Sequence, residues 1–145
     1  MSFDFSQTYL YKMHRLTNSL DQVFDTALHR QAGIGLSQFS LLLSVYQFQP
    51  VSQAYVARFL DISRPAVSRQ VDLAVQNGWL EVVESEKDRR SQQLRITNEG
   101  KQRIEKGIKV LEHDVFDIFK DENHQASLMD HITMLQQNID ALKNQ

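Results

Sequence analysis

Two short stretches of this sequence are rich in arginine, whose side chain is suited to binding anionic and hydrogen-bonding groups. Residues 58–70 carry three arginines against one acidic residue, and residues 87–90 read Lys-Asp-Arg-Arg. A guanidinium can bond two acceptors on a guanine edge at once, and local positive charge attracts phosphates. The two stretches therefore favour an anionic partner such as a nucleic acid.

Residues that could support catalysis or metal binding do not form a recognisable motif. The chain has no Cys, and it lacks a Gly-rich phosphate loop, a His-Glu-x-x-His motif and a Gly-x-Ser-x-Gly motif. Its five His residues include no pair at three- or four-residue helical spacing. We therefore predict that the chain is not an enzyme, and we expect neither a cofactor nor a metal site.

Length and composition fit one compact domain. The chain has 145 residues, a formal net charge of −2 and 41% hydrophobic residues. We find neither a signal peptide nor a run of roughly 18 apolar residues, so we expect a cytoplasmic protein with no membrane partner. Because no third of the chain is basic on average, any basic surface must be local.

Two short helices joined by the turn Asp61-Ile62-Ser63 are predicted to position the first arginine stretch. Ser52 and Ser63 carry hydroxyls suited to capping these helices. The spacing predicts packing positions at Val56, Ala57, Leu60, Ile62, Val67 and Val71. The outward positions of the second helix are then Arg64, Ala66, Ser68 and Arg69. Such side chains can reach base edges in a major groove, while the Ser63 hydroxyl can hold a phosphate.

A short β-hairpin is predicted after Gly78. The apolar period there changes to two, with Leu80 and Val82 before a polar loop and Leu94 and Ile96 after it. The second basic stretch lies in that loop. Helix, turn, helix, strand, loop and strand make a winged helix-turn-helix, so the predicted fold class is mainly α with a small antiparallel β-wing.

Amphipathic helices are predicted on both sides of this region. Apolar spacing predicts helices over 8–31, from a Ser37 cap to Pro50, and from a Thr97 cap to about Phe119, followed by a heptad-like seam over 128–142. Each stripe can pack within its own chain or against a second copy, and for residues 104–118 these alternatives stay open. For the terminal stripes we favour a homodimer, because one small winged domain does not cover three further long amphipathic helices.

Four runs carry a resemblance that extends beyond the helix-turn-helix. They are SQAYVARFLDISRPAVSRQV at 52–71, the run Gly78-Trp79-Leu80, the run Asp88-Arg89-Arg90, and LRITNEG at 94–100. Together with the length and the flanking helices, they are similar to the MarR family of bacterial winged helix-turn-helix transcription regulators. The Asp-x-Arg motif joined to Leu-x-Ile-Thr-x-x-Gly is the specific part. Where that family often has Gly in the turn, this chain has Asp61.

The resemblance implies a domain layout for the whole chain. It implies one MarR-like domain over 1–145, with a DNA-binding region at 36–100. It further implies N- and C-terminal dimerisation helices at 8–31 and 101–145.

The resemblance also implies roles for the wing tip. Arg90 is expected to enter a minor groove, where a narrow groove concentrates negative potential. Asp88 is expected to hold the wing, and Lys87 and Arg89 complete the basic tip, with Arg89 directed at solvent or phosphate.

Function follows from the resemblance as an expectation. It implies a repressor that binds double-stranded DNA as a homodimer, at an inverted repeat with half-sites about 10 base pairs apart. It also implies a small aromatic or phenolic effector, for which the candidate pocket residues are Tyr9, His14, Arg15, Tyr46 and Tyr55. The alternative for these side chains is packing in the core. The alternative function is a winged-helix adaptor that binds proteins and ignores duplex DNA, which the salt dependence of DNA binding would distinguish.

Overall fold

The computed structural model describes residues 4–85, 92–112, 118 and 121–144, and it divides into two units, Met1–Leu111 and Glu112–Gln145. The helices are α1 (Tyr9–Ala32), α2 (Leu36–Phe48), α3 (Gln53–Phe59), α4 (Arg64–Gln76), α5 (Asn98–Val110) and α6 (Glu122–Lys143), and the strands are β1 (Leu80–Glu84) and β2 (Gln92–Ile96). The predicted class, mainly helical with a small antiparallel sheet, is confirmed.

The first unit is built around one apolar core with α2 at its centre. This helix contacts α1, α3, α4, α5 and β2. Leu41 and Val45 of α2 are fully buried, and Leu28 of α1 and Leu94 of β2 are buried beside them. Because α2 has neighbours on several sides, it is apolar over most of its circumference rather than along one stripe.

The start of α2 differs from the prediction that Ser37 caps it. The helix begins at Leu36 with Gly35 as the N-cap residue, and no side chain of that cap residue bonds to the helix. Instead, the Leu36 N–H donates to the carboxylate of Asp25 in α1, at 2.8 Å. The cap therefore comes from a residue distant in sequence, which local capping rules do not consider.

The hairpin forms as predicted, although its two strands are buried unequally. Leu80 pairs with Ile96 and Val82 with Leu94 in an antiparallel register. Leu80, Leu94 and Ile96 are buried, whereas Val82 is 41% exposed. The base of the hairpin therefore packs on the core, and the strands extend from it.

The C-terminal segments follow the predicted helical pattern only in part. Helix α5 starts after the predicted Thr97 cap, whose hydroxyl accepts from the Gly100 N–H, and it ends at Val110. The prediction extended this helix to about Phe119, and residues 113–117 and 119 lie outside the described part. In the second unit, α6 begins at Glu122, with the Asp121 carboxylate as its cap. Over the ranges that the structure describes, no helix combines the length and the apolar character needed to cross a bilayer.

Candidate nucleic-acid interface

The α3–turn–α4 segment is held by the two serine caps that the sequence predicted. The Ser52 hydroxyl accepts from the Tyr55 N–H at 3.2 Å, and the Ser63 hydroxyl accepts from the Ala66 N–H at 3.3 Å. Asp61, in the turn between the helices, adopts a left-handed backbone with φ of 52°. The turn is closed where the Ile62 N–H donates to the Ala57 carbonyl at 3.0 Å. These bonds set the angle at which α4 leaves the turn.

Burial divides α4 into a packed face and an outward face. Val67, Val71 and Ala74 are at most 1% exposed, because this face packs against α2, α3 and β1. On the other face, Arg64 and Arg69 are exposed, while Ala66 and Ser68 are half-buried. The four outward residues that the sequence predicted therefore share the accessible side of this helix.

The predicted packing positions include one error. Val56 and Ala57 are buried and Leu60 is half-buried, as expected. Ile62 was predicted to pack inward, but its exposed fraction is 36%. Because the left-handed Asp61 turns the chain just before it, Ile62 no longer continues the helical spacing on which that prediction depended.

Two open clefts lie along the outward side of α4, and two glutamines border both of them. The first cleft is lined by Ser52, Gln53, Ala54, Arg64, Pro65, Ser68 and Gln92. The second is lined by Gln53, Arg69, Val71, Asp72, Leu73, Val75, Gln76, Val82 and Gln92. Gln53 and Gln92 are not among the residues predicted from the sequence, because they are neither charged nor placed to cap a helix. An amide side chain offers donors and an acceptor to base edges and phosphates alike.

The second basic stretch follows β1 and precedes β2 in the sequence. Glu84 and Gln92, which pair at the open ends of the strands, bracket this segment in the sequence. Lys87, Asp88, Arg89 and Arg90 lie outside the described residues.

Arg58 is an exposed cation on α3 close to this interface. From the sequence, its side chain could serve either in phosphate contact or in an ion pair. Its guanidinium carbon lies 5.9 Å from the centre of the Tyr55 ring, a cation–π arrangement. Tyr55 in turn packs edge-on against Phe48, with ring centres 5.2 Å apart.

The five candidate effector residues fall into two groups in the first unit. Tyr9, His14 and Arg15 lie in the first half of α1, whereas Tyr46 and Tyr55 lie in α2 and α3. A cleft along α1 is lined by Ser6, Gln7, Tyr11, Lys12, Arg15, Leu16 and Ser19, so Arg15 is the one candidate that contributes to it. Tyr9 is 88% exposed, and the His14 ring shares a hydrogen bond with the Asn18 amide at 3.1 Å.

In the part of the chain that the structure describes, no group of three or more His, Asp or Glu side chains has the arrangement to hold a metal ion. His29 and His124 lie 3.7 Å and 3.2 Å from the carboxylates of Asp25 and Asp121.

Comparison with known proteins finds relatives of the segment that contains this interface. A model of the MarR family matches residues 32–91, the segment from the last residue of α1 to the residue before β2. The chain is also 26% identical over 119 residues to YwoH, an uncharacterized HTH-type transcriptional regulator of Bacillus subtilis, and the match covers 79% of this chain and 86% of the relative. Over residues 32–91 the chain is similar to the MarR family. The matched segment contains the helix-turn-helix, and the similarity is therefore to regulators of the HTH type.

Solved structures of low sequence identity share the fold of this chain. The Staphylococcus aureus MepR–DNA complex has a TM-score of 0.80 at 16% identity, covering 94% of this chain and 99% of that one. The PcaV transcriptional regulator of Streptomyces coelicolor, solved with its natural ligand, has a TM-score of 0.81 at 17% identity. That match covers 94% of this chain and 97% of PcaV.

Proposed function

We propose that this chain is a sequence-specific repressor that binds an inverted-repeat DNA operator as a homodimer. The observation that carries the proposal is the outward face of α4, where Arg64 and Arg69 are exposed beside two open clefts. The opposite face of α4 packs in the core through Val67 and Val71. A helix so held can enter a major groove with its N-terminal side chains directed at base edges.

Several side chains are assigned to this proposed contact. Arg64 and Arg69 read bases, because a guanidinium can make two hydrogen bonds to guanine. Ser68 and Ala66 lie between them, where a hydroxyl contacts any base and a methyl group packs against thymine. Ser63, at the N-terminus of α4, faces a phosphate.

The wing supplies the second part of the proposed contact. Arg90 enters the minor groove, Asp88 holds the wing, and Lys87 and Arg89 neutralise phosphates. MepR, which shares the fold, was solved with DNA. Because a minor-groove guanidinium reads groove shape more than base identity, Arg90→Ala should weaken binding to all sequences alike.

A small aromatic or phenolic ligand is proposed to release the DNA. PcaV, which shares the fold, was solved with its natural ligand. The candidate residues remain Tyr9, His14, Arg15, Tyr46 and Tyr55. Release requires that the ligand bind more tightly to a dimer whose two α4 helices are wrongly spaced for the operator.

Selection of bound duplexes from a random pool, with and without aromatic carboxylic acids, tests these proposals together. The selected duplex should be an inverted repeat, bound at least about 10³-fold more tightly than a scrambled duplex. Affinity should fall steeply from low to moderate salt as counterions are released. Equal affinity for both duplexes would rule out a specific regulator, and absence of duplex binding would favour the adaptor.

Substitutions on α4 test which residues read the bases. Arg64→Ala or Arg69→Ala should reduce discrimination at one base position by about 1–3 kcal/mol, measured by competition with single-base operator variants. Lys109→Ala removes one exposed positive charge from α5 and serves as the matched control. If the control alters base preference as much as the α4 variants do, the assignment to α4 is wrong.

A further inference from the structure

The root of the wing is fixed to the first turns of α5 by a set of close contacts. The Thr97 hydroxyl donates to the Gly78 carbonyl at 2.7 Å, and the Thr97 N–H donates to the Trp79 carbonyl at 3.1 Å. At Gly100, a Cβ atom would collide with that same Trp79 carbonyl oxygen. Trp79 directly precedes β1, so the position of α5 sets where the hairpin starts.

One side chain of α5, Arg103, also reaches the end of α1. Its Nη1 donates to the carbonyl of Ala32, the last residue of α1, at 3.0 Å. Gly33, with φ of 68°, ends that helix, and a Cβ atom there would lie 2.8 Å from Arg103 Nη1. The guanidinium therefore occupies the space that a side chain at position 33 would need.

The same guanidinium lies against the root of the wing. Its central carbon is 5.7 Å from the centre of the Trp79 ring, and its Nη2 is 3.5 Å from the Glu99 carboxylate. A positive charge is favourable both at the C-terminus of a helix and over an indole face. Only arginine has the planar fork of donors that serves a carbonyl and a carboxylate while its face rests on a ring.

We propose that Arg103 is a positioning residue that joins the C-terminal end of α1 to the root of the wing. A displacement of the α1 end moves the guanidinium, which in turn moves Trp79 and the start of β1. This inference rests on the proposed function in one respect, because the orientation of the wing affects binding only if the wing contacts the duplex. The link between α1 and Trp79 is itself independent of DNA.

The chain contains a single Trp, so its intrinsic fluorescence reports on Trp79 alone. In the protein without DNA, Arg103→Met should shift the emission maximum to the red and raise the quenching constant for acrylamide, because it uncovers one face of the indole. Arg103→Lys should show most of the same change, since it keeps the charge but loses the fork. Lys101→Ala, which removes an exposed charge from the same helix, should leave the emission unchanged.

A substitution in α1 tests the coupling directly. Gly33→Ala should displace the Arg103 guanidinium and so change the emission of Trp79, although residue 33 lies in another element. In the Arg103→Met background, Gly33→Ala should add no further change, as a double-mutant cycle would show. Independent, additive effects of the two substitutions, or no effect of Gly33→Ala on Trp79, would overturn the proposal.

DNA binding supplies a second readout that a purely structural role would not alter. If Arg103 orients the wing, both Arg103→Lys and Arg103→Met should lower the slope of log affinity against log salt, by about 1 for each phosphate that the wing no longer reaches. A variant that is merely less stable has fewer active molecules but the same slope. An unchanged slope in variants with altered Trp79 emission would overturn the positioning role. Failure of the wild type to bind any duplex would refute the proposed function. The double-mutant cycle measured by Trp79 fluorescence would still test whether the end of α1 and Trp79 are coupled.

Discussion

At the scale of single residues, Asp61 is the non-glycine position, among those that the structure describes, where the backbone adopts a positive φ. Its φ of 52° lies in the left-handed region, in the turn that sets the angle between α3 and α4. Asp is tolerated there better than most residues, since its short polar side chain can bond locally, but Gly adopts this conformation without cost. The turn therefore forms although Asp is less favourable than Gly at this position, because the packing of α3 and α4 requires a left-handed residue there.

Two substitutions of Asp61 should change the free energy of unfolding in opposite directions. Asp61→Gly should raise the free energy of unfolding by about 1 kcal/mol, because it removes the left-handed penalty, and Asp61→Val should lower it by about 1–2 kcal/mol. Urea denaturation followed by circular dichroism measures both. A loss of stability in the Gly variant would mean that the Asp61 side chain contributes a bond that outweighs the strain.

Residues of the candidate site differ in how far sequence alone identifies them. Arg64 and Arg69 follow from helical spacing, since the apolar residues of α4 indicate which face is buried. Gln53 and Gln92 do not, because they come from separate elements that only the fold brings to the same clefts. The partners of Arg103 are likewise invisible in sequence, since Ala32 lies 71 residues before it.

At the scale of elements, the same division between local and distant causes explains which helix boundaries could be predicted. The starts of α3, α4 and α5 follow from Ser52, Ser63 and Thr97, each of which caps its own helix three residues ahead. The predicted start of α2, with Ser37 as its cap, was wrong because the residue that caps this helix, Asp25, belongs to α1. Local rules are reliable only where the stabilising contact is itself local.

The close approach of α5 to the core depends on a residue without a side chain. Gly107 is buried, and a Cβ atom there would overlap the ring of Phe39 and lie 3.2 Å from the Leu28 side chain. Because Gly is a poor helix former, its presence in the interior of α5 carries a cost that this packing offsets. The absence of a side chain allows α5 to lie directly against α1 and α2.

Gly107→Ala should therefore destabilise the protein despite the better helix propensity of Ala. We expect the free energy of unfolding to fall by about 1–3 kcal/mol, the usual cost of overpacking a core. Lys106→Ala, at the neighbouring exposed position of α5, should change it by less than about 0.5 kcal/mol. Urea denaturation of the two variants makes the comparison, and a stabilised Gly107→Ala variant would mean that α5 is free to move away from Phe39.

At the scale of the whole molecule, both terminal helices leave apolar side chains in contact with solvent. In α6, five residues spaced alternately by four and three are 37–69% exposed: Leu128, Ile132, Leu135, Ile139 and Leu142. In the first half of α1, four residues are 51–88% exposed: Tyr9, Leu10, Met13 and Leu16. Spacing of this kind is typical of helices that pack against a partner helix, and apolar stripes of this extent mark interaction sites.

These stripes support the proposed homodimer, which accounts for how one small chain could recognise two half-sites. A twofold axis would present two copies of α4 roughly 34 Å apart, one helical repeat of DNA. Binding at both half-sites is then much stronger than at one, because the second half-site is bound within the same complex. Dimerisation and operator preference should therefore be lost together.

Replacing Ile132 and Ile139 by Glu tests this link, because two charges on the α6 seam would have to lose their hydration to enter an interface. In sedimentation experiments we expect the wild type to be a dimer and the double variant a monomer. The monomer should also lose the preference for an inverted repeat over a single half-site. Ala126→Glu combined with Gln137→Glu adds the same charge on the opposite side of α6, so it should preserve both properties. A seam variant that remains dimeric would place the interface elsewhere, and a monomer with full operator affinity would show that pairing is unnecessary for recognition.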